Sequence, residues 1–265
     1  MKILIIGSGN MGSAIAHGLL KHFETSINLV VSDTNHEKFE QYRDMEVTVT
    51  TTLSKENLLH CETIILATKP QTFPALLPEL KNLIQGTKLI LSIAAGITID
   101  TLRIHLDQEK IVRIMPNTPA LIGAGISSWH ATPSVSSEEK ERVKNILKAI
   151  GEEIEMPNED AIDIATAISG SGPAYTFYFI EKLIESAVSL GMEENIAKQL
   201  ALSTVAGSCK LAKIGEDDLK TLREKVTSKG GTTESAISVF EKKAFGEIVK
   251  EAVKAAYKRA KELAE

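Results

Sequence analysis

Six residues near the amino terminus, Gly7-Ser8-Gly9-Asn10-Met11-Gly12, constrain this chain more than any other stretch. They form G-x-G-x-x-G directly after the apolar run Lys2–Ile6 and at the opening of a helical pattern, which is the strand–turn–helix setting in which this spacing binds a dinucleotide. Gly7 permits the tight turn, Gly9 lets backbone approach a pyrophosphate, and Gly12 lets the helix pack closely on the sheet. Free N–H groups of Ser8, Asn10 and Met11 and the positive end of the helix dipole would then hold the phosphates. An acid, Asp33, follows Gly12 by 21 residues and ends the second apolar run, where it would accept the hydroxyls of a ribose. Asp33 favours a free 2′-hydroxyl, whereas Thr34 and Asn35 can donate to a 2′-phosphate, so both cofactor forms stay open at this point.

The runs Ile3–Ile6, Leu29–Ser32, Val47–Thr50, Thr63–Ala67, Leu89–Ile93 and Ile111–Met115 read as strands bounded by Gly, Pro, Asn or Asp. Helical patterns, including Met11–His22 and Thr72–Ile84, lie between them. That alternation predicts an α/β fold with a mostly parallel sheet covered on both faces. A further helix follows Ser136 and stops at Gly151. Beyond Asn158 no strand is expected. Helices are predicted over Pro173–Leu190, Glu193–Lys213, Thr233–Phe240 and Glu247–Glu265, and Ala174–Ile180 is apolar on nearly every face, which predicts deep burial. The chain of 265 residues therefore reads as a dinucleotide-binding domain over 1–157 and a helical domain over 158–265.

Composition narrows the partners. Lys and Arg number 30 against 35 Asp and Glu, a net charge of −5, which argues against a nucleic-acid backbone or an anionic membrane surface. No apolar run approaches a membrane span, and a cytoplasmic location is expected. Cys61 and Cys209 suit buried, reduced thiols. The six histidines form no ligand pattern, so no metal is expected, and Trp129 reads as edge packing.

Later strand ends add candidates, because ligands of such sheets lie outside the carboxyl edge. Ala67-Thr68-Lys69-Pro70 follows one strand, and Asn117 stands between Pro116 and Pro119 after another. Ala67, Lys69, Pro70 and Asn117, together with Ser54, are assigned to the cofactor site. In the helical half, Val226-Thr227-Ser228-Lys229-Gly230-Gly231-Thr232-Thr233-Glu234 places two glycines among hydroxyl residues before a helix. Such a loop presents N–H groups at a helix amino terminus and suits a carboxylate.

At these motifs the chain closely resembles the pyrroline-5-carboxylate reductases. The resemblance runs through G-S-G-N-M-G, A-T-K-P at Ala67–Pro70, S-I-A-A-G at Ser92–Gly96, M-P-N-T-P-A at Met115–Ala120, S-G-S-G-P-A-Y at Ser169–Tyr175 and V-T-S-K-G-G-T-T at Val226–Thr233. It implies a Rossmann domain, a helical domain that interleaves with a second subunit, and obligate dimers often assembled into rings such as decamers. It also implies reduction of 1-pyrroline-5-carboxylate to proline by NADPH, with NADH as the alternative donor. Ser228, Gly230, Gly231, Thr232 and Thr233 would hold the substrate, Thr233 would serve the ring nitrogen, and Glu216 would stand nearby as an acid, although Glu216-Asp217-Asp218 also suits a solvated helix start. Lys229 departs from the usual proline of the loop and is expected to change affinity rather than chemistry. The Ser169–Gly172 turn is expected to shape the pocket. Two other readings compete. A β-hydroxyacid dehydrogenase needs a lysine where this chain has Thr176, and a dinucleotide-sensing module without chemistry would not need the Thr-rich loop.

Overall fold

A computed structural model describes residues 1–23 and 27–263. The chain runs β1 (Lys2–Ile6), α1 (Asn10–Phe23), β2 (Asn28–Ser32), β3 (Val47–Thr50), α2 (Lys55–Leu58), β4 (Thr63–Leu66), α3 (Phe73–Leu83), β5 (Leu89–Ser92), α4 (Ile99–Leu106), β6 (Ile111–Met115), β7 (Gly125–Ala131), α5 (Ser137–Lys148), β8 (Gly151–Glu155) and α6 (Asp160–Ala165). Five helices follow: α7 (Gly172–Ser189), α8 (Glu194–Ile214), α9 (Leu219–Lys225), α10 (Thr232–Lys242) and α11 (Phe245–Glu262). Ala264 and Glu265, the end of the last predicted helix, lie outside the described residues.

The strands form one sheet in the order β3-β2-β1-β4-β5-β6-β7-β8. All neighbours are parallel except β6 and β7. Alternation along each strand sends one set of side chains to each face. Ile3, Ile5, Ile65 and Leu91 pack with Ile15 and Leu19 of α1 and with Val143 and Ile146 of α5. Leu4, Ile6, Ile64 and Ile90 pack with Phe73, Leu77 and Leu80 of α3 and with Leu102 and Leu106 of α4. The start of α5 is fixed by a capping box, in which the Glu139 N–H donates to Ser136 Oγ and the Ser136 N–H donates to the Glu139 carboxylate.

Six strands lie where the sequence predicts them, within a residue at either end. Two were not foreseen, β7 and β8. Gly151 does not simply stop a helix; it opens β8 at φ +144°, where an added Cβ would stand 2.0 Å from the Gly125 carbonyl oxygen. Trp129 is not edge packing: it is fully buried in β7, and its indole Nε1 donates to Glu153 at 2.7 Å.

The chain divides into two compact units, residues 1–171 with 256–265, and residues 172–255. The expected boundary at 157 falls earlier, between β8 and α6. Ser169–Gly172, expected as a turn, instead continues the chain as a π-helical stretch over Thr166–Gly170, closed by Ser171 N–H donating to the Thr166 carbonyl. A Cβ at Gly170 would meet Met115 Cε at 2.6 Å, so a larger residue there would need the methionine side chain to move.

In the second unit the expectation of deep burial for Ala174–Ile180 does not hold in the single chain. Only Ile180 is buried, while Phe177 and Tyr178 are 63% and 62% exposed. The few helices of this unit cannot by themselves enclose a helix that is apolar all round. Cys61 is buried and Cys209 exposed, so only one thiol matches its expected place.

Candidate functional site

The strand order reverses between β1 and β4, the position at which parallel sheets of this order bind ligands. The glycine turn is stitched into that position: the Gly7 N–H donates to the Ser32 carbonyl at 2.7 Å, and the Ala67 N–H donates to the Ile6 carbonyl at 2.8 Å. Gly7 takes φ +105°, and a Cβ there would press on the Ala67 carbonyl carbon at 2.7 Å. Gly12 abuts the Gly7 carbonyl oxygen so closely that a Cβ would lie 2.0 Å from it. Gly9, by contrast, has nothing within 4 Å of where its Cβ would be. Two glycines are thus required by the protein and the middle one faces open space.

That space is a cleft of about 430 Å³ lined by Gly7, Gly9, Asp33, Thr34, Lys38, Thr51, Thr52, Ala67, Thr68 and Lys69, among others. A dinucleotide fits it chemically. No acidic side chain lies in the first turn of α1, so no acid of the helix itself competes for its orphan N–H groups and dipole. The Thr68 hydroxyl is buried without a protein partner, and a buried hydroxyl left so is costly unless a ligand meets it.

Of the predicted cofactor residues, Gly7, Gly9, Asp33, Ala67 and Lys69 line this cleft. Gly12 packs beneath it, Asn10 and Met11 open α1, and Pro70 begins a short helical turn. Ser8, Ser54 and Asn117 are occupied within the protein. Ser8 is 3% exposed; its N–H donates to Asp33 Oδ2 at 2.7 Å, and its hydroxyl bonds the Tyr42 hydroxyl at 2.9 Å. Ser54 caps α2 through Asn57. Asn117 Oδ1 accepts the Ile126 N–H at 2.9 Å and fixes the loop after β6. Asp33 is itself heavily engaged, accepting also from the Asn35 N–H at 2.9 Å and from Lys38 Nζ at 2.9 Å. Burial pushes its carboxyl pKa up, but the Asn35 N–H, the Lys38 ammonium and the Ser8 N–H outweigh that and hold it below the ordinary value. Lys38 was missed because it sits in a short helical turn, His36–Tyr42, with no motif around it.

Gly9→Ala is expected to leave the thermal midpoint within a degree or two while weakening NADPH binding by about tenfold or more, because the added methyl fills the space the pyrophosphate needs. A titration giving wild-type affinity would contradict this use of the turn.

The second predicted cradle lies in the helical unit. Gly230 takes φ +73° and Gly231 caps α10. The Gly230 N–H donates to Glu234 at 2.7 Å and the Gly231 N–H to the Ser228 carbonyl at 3.0 Å. Two of the four N–H groups expected to meet a carboxylate are therefore engaged inside the loop. Those of Thr232 and Thr233, at the first two positions of α10, have no intrahelical acceptor. Among the three acids at 216–218, Asp218 caps α9 by accepting the Thr221 N–H at 2.7 Å, and Asp217 pairs with Lys225 at 2.6 Å. Exposed Glu216 caps nothing. Among the described residues no three or more His, Cys, Asp or Glu side chains are grouped to hold a metal, and no helix is long and apolar enough to cross a membrane.

The sheet order, the glycine turn and its cleft define a Rossmann-type, dinucleotide-dependent oxidoreductase. Residues 2–96 match the family model described as NADP oxidoreductase coenzyme F420-dependent, and residues 159–263 match that of pyrroline-5-carboxylate reductase dimerisation. The chain belongs to the pyrroline-5-carboxylate reductase family. It is 34% identical to the pyrroline-5-carboxylate reductase of Haemophilus influenzae, covering 98% of this chain and 97% of that protein. Among solved structures it is similar to the enzyme from Coxiella burnetii (35% identity, TM-score 0.92, 99% and 98% coverage). It is also similar to pyrroline carboxylate reductase of Plasmodium falciparum with NADP bound (32% identity, TM-score 0.88, 100% and 98% coverage). The chain thus carries a dimerisation domain, and the apolar side chains that α7 exposes lie within it.

Proposed function

We propose that this protein reduces 1-pyrroline-5-carboxylate to L-proline with NADPH, the last step of proline biosynthesis, with NADH as the alternative donor. The observation that carries the reading is the full-length match to reductases of that name, over both the dinucleotide unit and the helical unit. The N–H groups at the start of α1 and the open face of Gly9 hold the pyrophosphate, and Thr68 and Lys69 border the same cleft. When bound, the dihydronicotinamide supplies a hydride to the carbon of the C=N bond. The Thr232 and Thr233 N–H groups, at the positive end of α10, anchor the substrate carboxylate. The Thr233 hydroxyl donates a hydrogen bond to the ring nitrogen and passes its proton to that nitrogen as the hydride reaches the carbon, taking a replacement proton from water. Glu216 orients a water or hydroxyl beside it. Ser228 and Gly231 hold the loop in shape. Anchoring at two points converts an encounter into a fixed approach, which is where such an enzyme gains most of its rate.

The working form is a homodimer, or a ring of dimers such as a decamer, because the exposed aromatic face of α7 needs a cover that the single chain lacks. The unpaired cysteines suit the cytoplasm. Mixing the protein with NADPH and 1-pyrroline-5-carboxylate tests the reading: cofactor absorbance should fall in step with proline formation. Absence of consumption with either NADPH or NADH leaves only a dinucleotide-sensing role.

A further inference from the structure

Asp33 stands where an acid normally accepts the hydroxyls of an adenosine ribose, yet its carboxylate is already committed. Oδ2 takes the Ser8 N–H and the Lys38 ammonium, and Oδ1 takes the Asn35 N–H. Its side chain is only 9% exposed, while that of Lys38 is 41% exposed. The acid is therefore turned inward as a brace for the glycine turn, and the charge presented at this end of the cleft is the ammonium. Thr34, Thr51 and Thr52 line the cleft beside it. The other cation of the cleft, Lys69, follows β4 rather than β2.

From this arrangement we infer that Lys38 selects the cofactor: it screens Asp33 and offers its ammonium to a phosphate on the adenosine ribose, so that the site favours the phosphorylated dinucleotide over the unphosphorylated one. This rests on the reading of the cleft as an NADPH site. A charge-assisted hydrogen bond to phosphate contributes enough for a tenfold or greater difference in affinity. NAD⁺, lacking that phosphate, gains nothing from the ammonium and finds three donors already on the Asp33 carboxylate.

The test is equilibrium binding, read by calorimetry on the whole protein, with NADP⁺ and NAD⁺ titrated separately. Lys38→Gln should weaken NADP⁺ by about tenfold or more and leave NAD⁺ nearly unchanged, with the salt dependence of NADP⁺ binding flattened. Because freeing Asp33 would also repel a phosphate, the same change is made in an Asp33→Asn background. If Lys38 meets the phosphate itself, NADP⁺ should still be lost selectively there. Equal weakening of both cofactors would overturn the inference, since Lys38 would then act only by bracing the turn. Unchanged NADP⁺ affinity would overturn it as well, while wild-type protein that binds neither dinucleotide would remove the underlying reading of the cleft.

Discussion

Thr233→Ala is expected to lower kcat by about a hundredfold or more, the usual contribution of a positioned proton donor. The substitution leaves the backbone of α10 unchanged, so the Thr232 and Thr233 N–H groups proposed to hold the carboxylate survive. KM for the imine should therefore move little, which separates loss of the hydroxyl from loss of the cradle. Thr233→Ser, which restores a hydroxyl on the same backbone, should recover most of the rate. Steady-state kinetics with both variants give the answer. An alanine variant that turns over as fast as the wild type would remove the hydroxyl from the chemistry and leave only the carboxylate contact at this position.

The second large effect is on stability. Arg113 of β6 is buried, with its side chain 4% exposed, and donates to Asp163 of α6 at 2.6 Å and to Glu159 at 3.0 Å. Glu159 Oε1 also accepts the Ile99 N–H at 2.8 Å, so one cluster ties β6, the start of α4 and the segment entering α6. Arg113→Ala would leave Asp163, 5% exposed, as a buried charge without its partner. The expected cost is about 3–5 kcal/mol of unfolding free energy, the range found when one member of a buried pair is removed. Arg113→Met combined with Asp163→Leu should recover much of it, because replacing both partners by apolar groups of similar size removes the uncompensated charge. Urea unfolding followed through Trp129 would measure both. If Arg113→Ala unfolded at the wild-type midpoint with the wild-type slope, the cluster would have no part in holding the unit together.

The parts of the fold readable in the sequence are those where local pattern and packing agree. Ile3–Ile6 and Ile64–Leu66 are apolar on both faces because helices cover both, and the glycine spacing announces the turn between them. β7 and β8 stayed hidden for the opposite reason. Ser127 and Ser128 interrupt the apolar run of β7, and β8, with sequence GEEIE, lies at the sheet edge with most of its residues exposed. Such a strand is dictated by pairing with β7 and by the approach of Gly151 to Gly125, neither of which is local. The second unit is a different case. Its apolar helix after Pro173 is one that a single small domain could hardly cover, and in the single chain Phe177 and Tyr178 are indeed left exposed.

Within the site, the sequence picked out the glycine turn and the Ala67–Pro70 segment that line the cleft, but not which of their groups are engaged inside the protein. Gly7 and Gly12 are fixed by backbone approach and Gly9 by open space, a distinction that spacing already implies. Ser8, Ser54 and Asn117 were grouped with the cofactor residues, yet each satisfies a protein partner. Hydrogen-bond accounting of this kind needs coordinates. Asp33 shows the same limit: its place is the usual one for a ribose acceptor, and only the geometry reveals three donors upon it.

The most direct measurement of the central claim follows a labelled hydride. NADPH carrying deuterium at the transferable position of its nicotinamide is incubated with the protein and 1-pyrroline-5-carboxylate in ordinary water, and the product is read by mass spectrometry and NMR. Proline bearing one deuterium on the former imine carbon, and none on nitrogen after exchange, is the expected result. Oxidised cofactor without labelled proline, or no reaction at all, would contradict it.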